Sequence, residues 1–84
     1  MKIIFTQSAW EEYFSWQSNN TKTLKRINLL IKETTRNPYS GIGKAEGLKH
    51  MLSGYWSRRV DQQNRMVYKV EEDSLLIIQL RYHY

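Results

Sequence analysis

The chain contains no cysteine, so it has neither a disulfide framework nor a thiolate metal site. Its two histidines lack the H-x-x-H or H-E-x-x-H spacing of a metal site, and we expect neither a metal nor a cofactor. No apolar run approaches the ~20 residues of a bilayer span, and the start, MKIIF, is too short for a signal peptide. These absences predict a protein of the reducing cytoplasm with no membrane partner.

Hydrophobic and positively charged residues are well represented. Of the 84 residues 40% are hydrophobic and 13% aromatic, which predicts one folded domain over residues 1–84. The sequence has thirteen Lys and Arg residues and eight Asp and Glu residues, which gives a net charge of +5 and a pI near 9.6. This balance favours a polyanionic partner, and nucleic acid before membrane.

Periodicity and turn signals predict two helices and five strands. Ser8 and Glu11 have the S-x-x-E spacing of a capping box, so the first helix should start at Ser8 and end near Asn20. A second helix should run from Thr21 to Arg36, because the residue before Pro38 is disfavoured in a helix. The segment PYSGIGKAEG is then a long loop. Strands are expected at residues 2–6, 48–51, 55–61, 65–70 and 74–82. The predicted fold class is α+β with the order β-α-α-β-β-β-β, an antiparallel sheet with two helices packed on one face.

Alternation along the predicted strands indicates which side chains share a face. In the last strand the core face should hold Leu76, Ile78, Leu80 and Tyr82, and the opposite face Ile77, Gln79, Arg81 and His83. In the preceding hairpin, a three-residue bulged loop would pair Asp61 with Arg65 and put Arg59, Arg65 and Lys69 on one face. A two-residue loop would separate Arg59 from Arg65.

The face away from the helices is therefore expected to carry an unusual mixture of groups. Its predicted members are Arg59, Arg65, Lys69, Arg81 and His83, with Glu46, Lys49 and His50 close by. A solvated sheet face often carries charges without any further role. An acid, a histidine and several guanidinium groups together are also what is needed to move a proton and to stabilise an anionic phosphorane without metal. GIGKAEG matches neither G-x-G-x-x-G after a strand nor a P-loop.

Several stretches together resemble one family. They are SAWEEYFSWQ, INLLIKETTRNPYSGIGKAEGLKH, LSGYWSRR, RMVYKV and the terminal RYHY. They resemble the YoeB-type toxins of the RelE superfamily, the ribosome-dependent mRNA endoribonucleases of bacterial type II toxin–antitoxin modules. The resemblance implies a RelE-like (microbial-RNase-like) fold, a homodimer and a cognate antitoxin that occupies or distorts the active site. It also implies cleavage of A-site mRNA on the 70S ribosome, and so inhibition of translation.

The resemblance also assigns roles to residues. The family's general base falls on Glu46, its phosphate-stabilising arginine on Arg65 and its general acid on His83. Tyr84 matches the family's functional terminal tyrosine, and Lys49 and Arg59 match supporting basic positions. The chemistry agrees, because RNA carries its own nucleophile, the 2′-OH, and requires no metal or cofactor. Two other interpretations remain: a non-catalytic module that binds ribosomal RNA and blocks translation, and a DNA-binding repressor subunit, for which no helix-turn-helix or ribbon signature is visible.

Overall fold

The computed structural model describes residues 1–81, apart from the side chain of Asn19. Two helices follow the first strand, and four strands and a short 3₁₀ helix complete the described part of the chain. The elements are β1 (Lys2–Phe5), α1 (Gln7–Asn19), α2 (Thr21–Arg36), β2 (Glu46–Gly47), the 3₁₀ helix His50–Leu52, β3 (Trp56–Arg59), β4 (Arg65–Glu71) and β5 (Ser74–Gln79). The predicted α+β class and element order are confirmed. Within residues 1–81, no helix is both long and apolar enough to cross a membrane.

The strands form one five-stranded sheet in the order β1-β5-β4-β3-β2. All neighbouring pairs are antiparallel except β1 and β5, which run parallel. The prediction of a wholly antiparallel sheet is therefore wrong at this edge. Strands joined by a tight hairpin must be antiparallel, but β1 and β5 lie at opposite ends of the sequence and no turn dictates their direction.

The first helix starts earlier than its capping-box pattern predicts. Thr6 is the N-cap, with extended backbone angles, and its side chain accepts a hydrogen bond of 3.1 Å from the backbone N–H of Ala9. Ser8 therefore lies inside α1, and the prediction of a start at Ser8 is wrong. Threonine and serine are both preferred N-cap residues, so the sequence alone offers two eligible positions. The second helix has the predicted bounds, Thr21–Arg36, and it ends where Pro38 indicates.

Both helices contribute to a core on one face of the sheet. Ala9 and Trp16 from α1 and Ile27 and Leu30 from α2 are buried. They form one cluster with residues of the strands, namely Met66, Tyr68, Leu75, Ile77 and Leu80. Each fully buried aliphatic side chain contributes roughly 1.5–3 kcal/mol of transfer free energy. Within residues 1–81, neither α1 nor α2 covers the opposite face of the sheet, as predicted.

A β-bulge sets the faces of β5. Leu75 and Ile77 are fully buried, so the predicted core positions Leu76 and Ile78 are wrong. Val67 pairs with Gln79 while the next residue of β4, Tyr68, pairs with Ile77, so Ile78 is the extra residue. The bulge reverses the alternation, and Leu80 returns to the core as predicted.

The β3–β4 hairpin keeps the predicted faces with a different register. Arg59, rather than Asp61, pairs with Arg65, and residues 60–64 form the loop. A shift of two positions preserves the alternation, so Arg59 and Arg65 still share a face. Asp61 organises the loop, because its Oδ1 accepts backbone hydrogen bonds from Gln63 (2.8 Å) and Asn64 (2.7 Å).

Candidate active site

The strand that carries Glu46 begins earlier than the predicted strand at residues 48–51. Glu46 pairs with Ser57, and Gly47 with Trp56, at the β2 edge of the sheet. The chain then turns into the 3₁₀ helix, where His50 has a positive φ of 59° that an extended strand does not permit. The predicted strand at residues 48–51 is therefore wrong, and the actual strand places Glu46 beside β3.

A carboxylate and a guanidinium meet on the face without helices. Arg65 Nη1 lies 3.4 Å from Glu46 Oε1 and donates a hydrogen bond of 3.2 Å to Ser57 Oγ. Because serine is small, the fully buried Ser57 between β2 and β4 leaves room for the Arg65 side chain to lie across β3. The structure thus brings together two predicted site residues that are 19 positions apart in the sequence.

The two charged groups differ in their exposure. The side chain of Arg65 is 13% exposed and that of Glu46 is 55% exposed. A guanidinium that is largely buried and held by neighbours keeps a fixed orientation, which favours recognition of an anion. A carboxylate open to solvent can reach a substrate and accept a proton.

Arg59 adds a second cation beside Arg65. The two arginines occupy directly opposed positions of the β3–β4 pair, and Arg59 is exposed. Like charges in this arrangement repel each other. The Arg59 backbone is fixed by its N–H, which donates to Gly43 O (2.7 Å), and by its carbonyl, which accepts from Arg26 Nη2 (3.2 Å). An anion bound between the two guanidinium groups would relieve their repulsion.

Lys49 borders an open cleft next to the ion pair of Glu46 and Arg65. The cleft has a volume of about 370 Å³ and is lined by Glu46, Gly47, Leu48, Lys49, His50 and Leu52. Glu46 therefore contacts both the guanidinium of Arg65 and the space that Lys49 borders. A negatively charged chain in the cleft would meet positive charge from the lysine as well as from the arginines.

Two other predicted members of this face are engaged elsewhere. Lys69 Nζ pairs with Glu71 Oε1 at 3.1 Å and lies 5.3 Å from the ring centroid of Tyr55. Arg81 packs on α1 with its guanidinium 3.9 Å from the Trp16 ring centroid, so its predicted place on the open face is wrong. The chain bends after β5 and no longer follows strand alternation. His83 and Tyr84 lie outside the described residues, and their assigned roles stay predictions.

Arg58 is a buried arginine that the sequence prediction missed. Its side chain is fully buried and donates to the backbone carbonyls of Asn37, Ser40 (2.8 Å) and Ile42 (3.0 Å) and to the hydroxyl of Tyr68 (3.2 Å). These acceptors belong mostly to the loop that leads into Glu46. Alternation along β3 could have signalled this residue, since one of two consecutive arginines must face the core.

Tyr68 helps Arg58 to hold the same loop. Its hydroxyl donates to the carbonyl of Pro38 at 2.5 Å. Burial raises the pKa of the Tyr68 phenol, while the hydrogen bond from Arg58 and its charge oppose that rise. The phenol therefore remains a hydrogen-bond donor, and the start of the loop stays attached to the core.

Gly43 is required where the loop crosses the sheet. Its φ of +78° is unfavourable for other residues. A Cβ atom there would lie 3.0 Å from Leu30 Cδ2 and 3.2 Å from both Arg58 Cβ and the Arg59 carbonyl oxygen. Glycine thus allows the loop to pack directly on β3, where its carbonyl accepts from the Arg59 N–H.

Fold and site together define a class: a small basic α+β protein whose helices cover one sheet face and whose other face presents a carboxylate beside arginines. The comparisons with known proteins agree. The pattern of the family described as "YoeB-like toxin of bacterial type II toxin-antitoxin system" matches residues 5–84. The chain therefore belongs to the YoeB-like toxin family, and the resemblance to YoeB-type toxins is confirmed.

Relatives match over the full chain. The toxin YoeB of Escherichia coli K12 is 51% identical over 84 residues, which is 100% of each chain. Two solved structures from Staphylococcus aureus are 42% identical and cover 100% of this chain and 98% of theirs. One is a YoeB dimer, with a TM-score of 0.93, and the other is a heterotetrameric YoeB–YefM toxin–antitoxin complex, with a TM-score of 0.92.

Proposed function

We propose that this toxin is an endoribonuclease that cleaves mRNA in the A site of the 70S ribosome and so inhibits translation in the cytoplasm. The observation that carries the proposal is the contact between Glu46 and Arg65 on the open sheet face, with Arg59 directly opposite Arg65. A proton acceptor next to oriented cations suits attack on a phosphodiester. The basic character of the chain suits a partner made of RNA.

The reaction uses the nucleophile that RNA supplies. Glu46 removes the proton of the 2′-OH, the O2′ atom attacks phosphorus, and the bond from phosphorus to O5′ breaks. Arg65 stabilises the negative charge on the non-bridging oxygens, with support from Lys49 and Arg59. His83 donates a proton to O5′, and Tyr84 completes the site. The products are a 5′-hydroxyl end and either a 2′,3′-cyclic phosphate or the 3′-phosphate from its hydrolysis, formed without metal or cofactor.

The ion pair between Glu46 and Arg65 has a consequence for this mechanism. In the protein without RNA, Arg65 occupies one side of the carboxylate. When RNA binds, the phosphate is a new anionic partner for the guanidinium, so the carboxylate can turn toward the 2′-OH. Substrate binding thus prepares the base and positions the cation in the same step.

Two protein partners belong to the proposal. The S. aureus complex contains the antitoxin YefM, and we propose that a cognate antitoxin of this kind binds the present chain. The S. aureus dimer supports a homodimer for this chain as well. An antitoxin that covers or distorts the face of Glu46 and Arg65 would silence the toxin.

The test compares the wild-type protein with Glu46→Gln, which keeps the size of the side chain and removes its basic carboxylate. The 5′ ends of mRNA are mapped after brief induction in cells, and cleavage is repeated with purified ribosomes. We expect cuts with the wild type and with Glu11→Gln, an exposed carboxylate on α1, but none with Glu46→Gln. Translation arrest with intact mRNA would instead support the non-catalytic ribosome-binding alternative.

A further inference from the structure

We propose that one face of α1 positions the C-terminal tail for catalysis through a clamp formed by Glu12, Ser15 and Trp16. The clamp holds Leu80 and Arg81, the last residues that the structure describes. Ser15 and Trp16 follow Glu12 by three and four positions, which puts both on the same side of α1 as Glu12. The inference rests on the proposed function, because the assigned general acid, His83, follows two residues after Arg81.

Both backbone polar groups of Leu80 are bound by side chains of α1. Its N–H donates to Glu12 Oε1 at 2.8 Å, and its carbonyl accepts from Trp16 Nε1 at 3.2 Å. The Leu80 side chain is fully buried in the core. These contacts replace the backbone ladder, since the described pairing of β5 ends at Gln79.

Arg81 is held by its side chain. Its Nε and Nη2 atoms donate to Ser15 Oγ at 3.1 and 2.7 Å, and its guanidinium lies 3.9 Å from the Trp16 ring centroid. The Ser15 hydroxyl donates to the carbonyl of Glu12 at 2.7 Å, which directs its oxygen lone pairs toward Arg81. A guanidinium on a buried indole is a favourable cation–π contact.

The anchor limits how far the tail can move. Each extended residue adds at most about 3.5 Å, so a chain fixed at Arg81 keeps the α-carbon of His83 within about 7 Å of that point. If the chain were fixed only at Gln79, where β5 ends, the corresponding reach would be about 14 Å. Displacement of a catalytic group by 1 Å can cost about 10²-fold in rate. Chain ends fray unless they are tied down, and α1 supplies the tie.

The experiment measures cleavage of programmed ribosomes by Glu12→Ala, which removes the acceptor for the Leu80 N–H. We expect kcat to fall about 10- to 100-fold while KM changes by less than about threefold. Glu12→Gln keeps an oxygen acceptor and should restore most of the rate. Glu11→Ala is the matched control, because Glu11 is the exposed neighbour on the same helix.

A second substrate separates positioning from loss of structure. In RNA with sulfur in place of the bridging 5′ oxygen, the leaving group needs no proton, so this substrate does not depend on the general acid. We expect it to restore rapid cleavage by Glu12→Ala and by His83→Ala alike. Rescue of His83→Ala without rescue of Glu12→Ala would overturn the clamp. If the wild type cleaves neither the ordinary RNA nor the sulfur-containing RNA, the proposed function itself is wrong. If the sulfur-containing RNA does not restore cleavage by His83→Ala, the assigned role of His83 is wrong.

Discussion

Replacement of the buried Arg58 by methionine should destabilise the fold through the loop before Glu46. The change removes the guanidinium and leaves the hydroxyl of Tyr68 and the carbonyls of Asn37, Ser40 and Ile42 without their donor. Methionine fills part of the volume of the arginine side chain, so the stability that is lost comes mainly from the broken hydrogen bonds. Because Arg58 is fully buried, water cannot easily take the place of its guanidinium as a hydrogen-bond donor.

The magnitude follows from opposing contributions. A hydrogen bond to a charged group is worth about 1.5–3 kcal/mol, but burial of the guanidinium itself costs several kcal/mol, which its removal regains. Ser40 and Ile42 are exposed, so their carbonyls can reach water once the loop loosens. Breaking a buried charged network typically costs about 3–5 kcal/mol. For 84 residues the whole free energy of unfolding is about 4–13 kcal/mol, so Arg58→Met should remove about a quarter of it or more.

Urea unfolding followed by tryptophan fluorescence tests this value, because Trp16 lies in the core. With an m-value of about 1.5 kcal/mol/M, the midpoint should fall by about 2–3 M. Arg58→Lys should lose less, since it keeps the charge but not the planar set of donors. The control is Arg36→Met, an exposed arginine in the last turn of α2 that is worth at most about 1 kcal/mol. A midpoint for Arg58→Met within about 0.5 M of the wild type would show that the hydrogen bonds of Arg58 do not stabilise the fold.

Three further predictions concern the site and the core. Arg65→Ala should lower kcat by about 10²–10³-fold, as expected for loss of an anion-stabilising donor; a defect confined to ribosome affinity in binding assays would remove Arg65 from the chemistry. Deletion of His83 and Tyr84 should abolish cleavage while antitoxin binding and the urea midpoint persist, and a truncated protein that still cuts would contradict both roles. Burial raises the pKa of Tyr68 above its ordinary value of 10.0, so above pH 10 the unfolded state loses this proton first and stability falls. In urea unfolding between pH 8 and 11, the free energy of unfolding of the wild type relative to Tyr68→Phe should therefore decrease above pH 10. A difference that stays constant over this range would disprove the raised pKa of Tyr68.

Elements with a strong local signal could be predicted from the sequence. The second helix ends at Arg36 because Pro38 prevents its continuation, and its helically spaced apolar residues Ile27, Leu30 and Ile31 are buried. Where local signals were ambiguous, tertiary contacts decided. Thr6 rather than Ser8 caps α1, and the four consecutive apolar residues from Leu75 to Ile78 show no alternation that could reveal the bulge at Ile78.

The residues that meet at the candidate site could be predicted better than the buried contacts that hold the surrounding segments in place. The resemblance predicted Glu46 and Arg65 as site residues, which are in contact, and the predicted strand faces put Arg59 beside Arg65. Arg58 was missed because backbone carbonyls rather than an acid compensate its charge, and the positions of such carbonyls depend on the folded loop. Arg81 was misplaced because its contacts with Ser15 and Trp16 join distant parts of the chain.

In the proposed reaction the RNA itself supplies the nucleophile, and Glu46 activates it beside Arg65. The most direct measurement uses purified ribosomes programmed with two mRNAs that differ only in one 2′-deoxy substitution, on the nucleotide before the cut. We predict rapid cleavage of the all-ribose mRNA, with a 2′,3′-cyclic phosphate or its hydrolysis product, the 3′-phosphate, on the upstream fragment. We predict no cleavage at that position in the substituted mRNA. Equal cleavage of the two mRNAs would rule out this mechanism, because the attacking group would then have to come from elsewhere.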